Sequence, residues 1–423
     1  MARRYLDHLV DDILPWWLAH GPDPARGGVH TCWDNLGQQL VSRDKYTWSQ
    51  GRWAWLASAV ALAAQDGWLP VDPEPWRRTA VDTARHIRDH AMLPDGTTAF
   101  VTTDDGQPKE TTPGQGLHTS IFADFFTALG WAGLARLGAD PDDDWAGRAR
   151  TLYDSAVDRI AAGPVRTDPY PVPPGYGSWA LPMITIGVGN ELFAATGDQA
   201  VAERVRAAMD TLDESYLRGD DGLEMPVLDP ELADPDSLHA RHRTPGHVLE
   251  CLWFLDDARA VVGDHPLTDR ARLTAIALRA LEIGWDPQYG GLLRYVDAAG
   301  GEPSGTVQVD AEADPHGTPD PYALLVTETW GTKLWWIHSE ATWTCELLAA
   351  RTADPEICVW RDSVRDWTLE RFPAGPGQEW VQNRDRAGTP ITRTVALPVK
   401  DPMHIARAWL RIAELEQRGE LHP

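Results

Sequence analysis

KYTWSQGRWAWLASAVALAAQDGWLPVDPEPWRRTAVDTARHIRDHAMLPDGTTAFVTTDDGQ, residues 45–107, sets the pattern for the whole chain. Apolar positions recur at helical spacing over 45–66 and again over 75–91. The connection between these two helices is short and plain. The second helix runs instead into PDGTTAFVTTDDGQ, where strand-like residues flank DG and DDG turns. Working outward, helical spacing predicts further segments over 3–19, 118–138, 143–162, 179–197, 199–217, 245–263, 267–284, 325–350, 355–371 and 402–417. Each odd-numbered helix is followed by a glycine- or proline-rich excursion: GGVHTCWDNLGQ, PVRTDPYPVPPGYG, GDDGLEMPVLDP, GGLLRYVDAAGG and GPGQEWVQNRDRAG complete the set. Asp354-Pro355 and Asp401-Pro402 read as an N-cap followed by proline in the first turn. Helix, long loop, helix, short loop, repeated six times, predicts an all-α fold. It is an (α/α)6 barrel of six helical hairpins with short β-hairpin loops at one rim, forming one domain over 1–423. The even-numbered helices are expected inside. Their N-termini, with orphan N–H groups and positive partial charge, then face the loop-bearing rim, which suits a polar site.

Composition narrows the function. The 423 residues carry a net charge of −25, which argues against nucleic acid or an anionic membrane as partner, because phosphate contacts need a basic face. Asp7, Asp11 and Asp12 interrupt the first helix, so it reads as amphipathic rather than as a signal peptide. No stretch is apolar enough to span a bilayer. Cys32, Cys251, Cys345 and Cys358 are far apart and read as free core thiols, so the cytoplasm is the expected compartment. Tryptophan is over-used, 21 against 7 phenylalanines and 9 tyrosines. Its flat face with one N–H donor suits the C–H faces of sugars.

The candidate site residues lie at the starts of the even helices. Arg52 sits among aromatics in YTWSQGRWAW. His118, Ser120 and Asp124 mark an otherwise apolar run. Arg241, His247 and Glu250 fall in ARHRTPGHVLECLWFL, and Lys333, Trp335, Trp336, His338 and Glu340 in ETWGTKLWWIHSEATW. Lys400, His404 and Arg407 open the last helix. His247 and Glu250, three apart, share a helix face, so this carboxylate is expected to orient the imidazole and raise its pKa. His404 and Arg407 repeat the spacing. His118 and His338 fit a structural role better. There is no HExxH, CxxC, EF-hand or phosphate-loop motif, so no metal and no cofactor are expected, and the absence of GxSxG weakens a serine hydrolase reading.

The pieces QGRWAW (50–55), RHRTPGHVLECLWFL (241–255), GWDPQYGGLLRYVD (284–297), KLWWIHSEA (333–341) and KDPMHIARA (400–408), in this order, resemble the N-acylglucosamine 2-epimerase family. That family also contains cellobiose 2-epimerases and mannose isomerases. The resemblance implies an (α/α)6 barrel and a carbohydrate isomerase that needs no metal for its chemistry. It implies catalytic roles for His247, His404, Glu250 and Arg52, and places Trp335, Trp336 and Lys333 in a sugar pocket. Arg241, His118, Asp124, Met183 and Glu340 complete the expected substrate contacts. Pro182-Met183 and Asn190-Glu191 look more like the N-acylglucosamine branch. The substrate implied is a monosaccharide or short oligosaccharide, and a homodimer is left open. Three other readings stand beside C2 epimerisation. One is aldose–ketose isomerisation. Another is a glycoside hydrolase using carboxylates among Asp124, Glu250, Glu328 and Glu340. The third is a non-catalytic sugar-binding module with Trp335–Trp336 as its platform.

Overall fold

A computed structural model describes residues 3–307, 320–392 and 400–421, with the side chains of residues 3 and 4 left out. Twelve long helices alternate between an outer and an inner layer. The outer set is α1 (3–20), α3 (73–91), α5 (Trp145–Ala162), α7 (199–216), α9 (Arg270–Gly284) and α11 (Pro355–Arg371). The inner set is α2 (Thr47–Gln65), α4 (Ile121–Leu137), α6 (Ala180–Thr196), α8 (Pro245–Val262), α10 (Trp335–Thr352) and α12 (Met403–Gln417). Single π turns, Leu9–Ile13, Ile87–Ala91 and Leu212–Tyr216, lie within α1 or end α3 and α7. Each inner helix packs on the next, and α12 packs on α2, so the ring closes. The even helices are inside, as the alternation of long and short connections predicts.

The two layers start differently. Asp72, Asp144, Asp198, Asp269 and Asp354 cap α3, α5, α7, α9 and α11, each carboxylate accepting a first-turn N–H. The inner helices begin on Tyr46, Ser120, Trp179, Thr244, Leu334 and Pro402, none of which gives a side-chain cap. Asp401, one residue before Pro402, accepts from Met403 N at 2.7 Å. Apart from that of α12, the inner-ring N-termini therefore meet, without side-chain caps, at the rim that carries the excursions.

Inner helices are buried almost all round and approach closely where glycine permits. A Cβ on Gly51 would lie 2.1 Å from the carbonyl oxygen of Phe126, and one on Gly130 would lie 2.7 Å from that of Gly51. This contact seats Arg52 over the Phe126 ring, 4.0 Å from its centroid.

Four expectations are corrected. The helix expected over 325–350 is interrupted: Pro321–Thr329 ends, Lys333-Leu334 form a short strand, and α10 starts at Trp335. The fourth helix starts at Ile121, after His118. Arg241 ends a separate turn, Leu238–Arg241, ahead of α8. The strands do not only form hairpins within one excursion. Lys45-Tyr46, His242-Arg243 and Lys333-Leu334, each leading into an inner helix, pair antiparallel with Val101-Thr102, Val296-Asp297 and Asn383-Arg384 from the next excursion. The cysteines are unpaired; three are buried and Cys358 is half-buried.

The rim also contains a duplicated clip. Asp23-Pro24-Ala25-Arg26-Gly27-Gly28 and Asp286-Pro287-Gln288-Tyr289-Gly290-Gly291 share one form, with φ of 71° and 79° at the first glycine pair and 68° and 74° at the second. Antiparallel bridges Pro22–Val29 and Trp285–Leu292 close the two loops at equivalent places. Each loop grips a buried lysine just before an inner helix. Lys45 Nζ donates to Asp23 at 2.8 Å and to the Gly27 carbonyl, and Lys333 Nζ donates to Asp286 at 3.1 Å and to the carbonyls of Gly290 and Gly291.

Candidate active site

The rim opens into a cavity of about 300 Å³ to which all six inner helices contribute. Trp48 and Arg52 come from α2, Phe122 and Phe126 from α4, Met183 from α6, His247 and Glu250 from α8, Trp335 and Trp336 from α10, and His404 and Arg407 from α12. The excursions add Tyr170, Glu224, Arg294, Tyr295 and Asp401. Most of these helix residues lie in or near the first turn, where backbone N–H groups lack intrahelical partners.

Two imidazoles dominate the chemistry. His247 Nδ1 stands 3.0 Å from both carboxylate oxygens of Glu224, which is 3% exposed. A carboxylate only accepts, so Nδ1 carries the hydrogen and the neutral ring keeps its lone pair on Nε2. Burial opposes charging His247, but the Glu224 carboxylate, its hydrogen bond and the Glu250 charge outweigh it, so the pKa is raised. Glu224 shifts the other way: burial alone would raise it, but His247 beside it holds it below the usual carboxylate range. His404 Nδ1 bonds Glu340 Oε1 at 2.8 Å, and its Nε2 has no hydrogen-bond partner among the described residues. Burial would raise the fully buried Glu340, yet Arg407 and His404 hold it well below the ordinary value. Both imidazoles pack on one indole, with centroids 5.2 Å (His247) and 5.9 Å (His404) from Trp336.

The carboxylate expected to orient His247 is therefore corrected. Glu250 accepts instead from Arg407 and lies 3.7 Å from His404 Nδ1. Arg407 Nη2 also donates to Glu340 at 2.6 Å. Arg52 donates to Asp401 at 2.7 Å, and its Nε is buried with no hydrogen-bond partner among the described residues. Burial alone would raise Asp401, but Arg52 and His404 lower it.

Five expected substrate contacts do not line the cavity. Lys333 is held in its clip; burial pulls its pKa down to about 8 against the pull of Asp286. Arg241 pairs with Asp297 at 2.8 Å. Asp124 is fully buried, accepting from Thr98 N and Oγ1 at 2.8 and 2.7 Å and from Arg159. His118 joins the same fastening through the Thr98 carbonyl and Arg159, both at 3.0 Å. Glu340 stands behind His404. Met183, Trp335 and Trp336 do line the cavity. His338 is buried and accepts from Leu292 N at 2.9 Å, a structural role.

Sequence reasoning missed Glu224, Arg294 and the partnership of Asp401 with Arg52. Glu224 lies in the quoted excursion GDDGLEMPVLDP, but nothing in its spacing ties it to a histidine 23 residues later.

Two groups of metal-binding residue types converge among the described residues: Glu250, Glu340 and His404, and Asp23, His30 and Asp104. Neither fits an ion. Arg407 already bridges the carboxylates of the first group, and Lys45 and Arg26 hold those of the second.

Known proteins resemble the chain in sequence and in fold. The family model for N-acylglucosamine 2-epimerase (GlcNAc 2-epimerase) matches residues 198–408. The N-acylglucosamine 2-epimerase of Bos taurus is 26% identical over 419 residues, covering 96% of this chain and 89% of that protein. The cellobiose 2-epimerase of Bacillus thermoamylovorans shares the fold with a TM-score of 0.73 at 16% identity, covering 98% of each chain. A D-mannose isomerase does so with a TM-score of 0.71 at 14% identity, covering 98% of this chain and 97% of its own.

Proposed function

Since the chain belongs to the N-acylglucosamine 2-epimerase family, we propose that it is a sugar 2-epimerase acting on an N-acylhexosamine or related hexose. The observation that carries the reading is the pair of imidazoles on one indole, each with Nδ1 committed to its own buried carboxylate. Both rings line one cavity, and neither Nε2 is hydrogen-bonded among the described residues.

In the open-chain sugar, the hydrogen on C2 is acidified by the neighbouring aldehyde. One neutral histidine removes that proton, and the C–H electron pair moves into the C1–C2 bond as an enediolate forms. Arg52 supplies the cation for the developing oxygen charge. The other histidine, protonated, returns a proton to the opposite face of C2. The product is the C2 epimer, and the two histidines have exchanged protonation states. Glu250, bonded to Arg407, is suited to assist ring opening at the anomeric oxygen. Return of the proton to C1 would give the ketose instead, so isomerisation uses the same groups. We place the reaction in a single domain, without a resident metal, in the cytoplasm.

The test is incubation with N-acylglucosamine, N-acylmannosamine, glucose, mannose and cellobiose in deuterated water. C2 deuteration with formation of the epimer is expected. Deuterium at C1 of a ketose would favour isomerisation. No exchange with any sugar, combined with hydrolysis of a glycoside, would overturn the reading.

A further inference from the structure

Each cation lining the cavity has a carboxylate partner, with one exception among the described residues. Arg52 has Asp401; Arg407 has Glu250 and Glu340; His404 has Glu340; His247 has Glu224; Lys400 has Glu379. Arg294 has none. Its side chain is 4% exposed, its Nη1 is buried without a hydrogen-bond partner among the described residues, and its neighbours are Tyr295, to which it hydrogen-bonds, Tyr170 and Tyr322. The guanidinium lies 4.9 Å from the Tyr295 ring centroid, and Tyr170, Tyr295 and Tyr322 line the same wall. A buried guanidinium remains charged under all ordinary conditions, so it cannot relieve its burial by losing a proton. Leaving such a charge unpaired is costly, and an anion arriving from the cavity would remove that cost.

We propose that Arg294 is the specificity residue for an anionic substituent on the sugar, a carboxylate or phosphate borne away from C1 and C2. This deepens the epimerase reading and rests on it. The planar fork of the guanidinium matches either anion bidentately, and the phenol groups of Tyr170 and Tyr295 can donate to its remaining oxygens. The uncapped inner-helix N-termini around the rim add positive partial charge of the same sign. The segment that carries Arg294 leads directly into the strand Val296-Asp297, which is paired to His242-Arg243 just ahead of α8. The anion-reading arm is thus built onto the helix that presents His247.

The test compares glucose with glucuronate and glucose 6-phosphate, and N-acetylmannosamine with its 6-phosphate. C2 deuteration is followed for turnover and calorimetry for binding. The expected result is at least tenfold higher kcat/KM for the anionic member of a pair. Arg294→Gln should lower affinity for that member about 10²-fold, and for the neutral sugar at least tenfold less. Preference for carboxylate over phosphate, or the reverse, identifies the group. Neutral sugars binding as tightly as their anionic partners, or Arg294→Gln weakening both equally, would overturn the proposal while leaving epimerisation standing. Absence of C2 exchange with every sugar would instead sink the epimerase reading, and the calorimetric comparison would still decide the anion site.

Discussion

Both carboxylate oxygens of Glu224 stand 3.0 Å from Nδ1 of His247. The pair crosses from the excursion 219–230 to the first turn of α8, and it sets the pH dependence. A base must be neutral, and Glu224 keeps His247 protonated to higher pH than a free imidazole. The acidic limb of kcat/KM is therefore expected above about pH 6.5. In Glu224→Gln the limb should move to lower pH, and a limb that stays put would show that His247 is not the base. Linkage also fixes the sign for stability. The raised histidine pKa gives stabilisation that is full below about pH 6.5 and is lost as pH rises through the folded value. The lowered Glu224 pKa reflects the same coupling, so the pair's stabilisation is also lost as pH falls below about 4.5 and the carboxylate is protonated, and at alkaline pH, with His247 neutral, Glu224 no longer supplies it. Melting temperatures of wild type and Glu224→Gln from pH 4 to 9 should converge at alkaline pH.

His247→Asn and His404→Asn should each lower turnover by about 10²-fold or more, since each removes one proton carrier. Exchange into solvent separates the two roles. A variant that still washes deuterium out of C2-labelled substrate, yet makes no epimer, has lost the returning acid and kept the base. Near-wild-type turnover in either variant would remove that histidine from the mechanism.

Arg52→Ala should lose activity comparably, but it should lose stability too. Asp401 is 2% exposed and would be left without its cation, while it also holds Met403 N at the start of α12. Arg52→Ala,Asp401→Asn should recover much of the melting temperature and none of the turnover.

Trp336→Ala is expected to lower kcat as well as raise KM. A ring that only stacked on sugar would act mainly on KM, but this indole also backs both imidazoles. Trp336→Phe should keep more of kcat. An alanine variant with unchanged kcat would restrict the indole to binding.

Lys333→Ala should destabilise the fold by about 1–3 kcal/mol, because the carbonyls of Gly290 and Gly291 lose their donor while Asp286 keeps Arg386, with little change in KM of the molecules that remain folded. Urea midpoints and single-substrate kinetics would check this. A pure KM effect would return Lys333 to the sugar pocket.

The ring was legible because its signal is long-range and redundant: six helix pairs with alternating connections, each supporting the others. The positions of His247, His404, Arg52 and Trp336 followed from their place in the first two turns of inner helices. Lys333, Asp124 and Arg241 also stand near helix starts, but one residue along a strand or helix turns a side chain away from the cavity. Lys333 belongs to a two-residue strand, not to the helix the apolar spacing suggested. Glu224 and Arg294 lie in excursions with no periodicity, so only the folded chain brings them to the histidines.

The paired lysine clips have a consequence for how this barrel can diversify. Asp23 and Lys45 are 22 residues apart, whereas Asp286 and Lys333 are 47 apart, yet both lysines end at the threshold of an inner helix. Chain added between clip and helix therefore leaves the barrel's frame in place, and the entropy of closing the longer span grows only logarithmically. Insertions and deletions can accumulate above the cavity, where they meet the distal parts of a ligand, without disturbing the registration of the proton-transfer groups below.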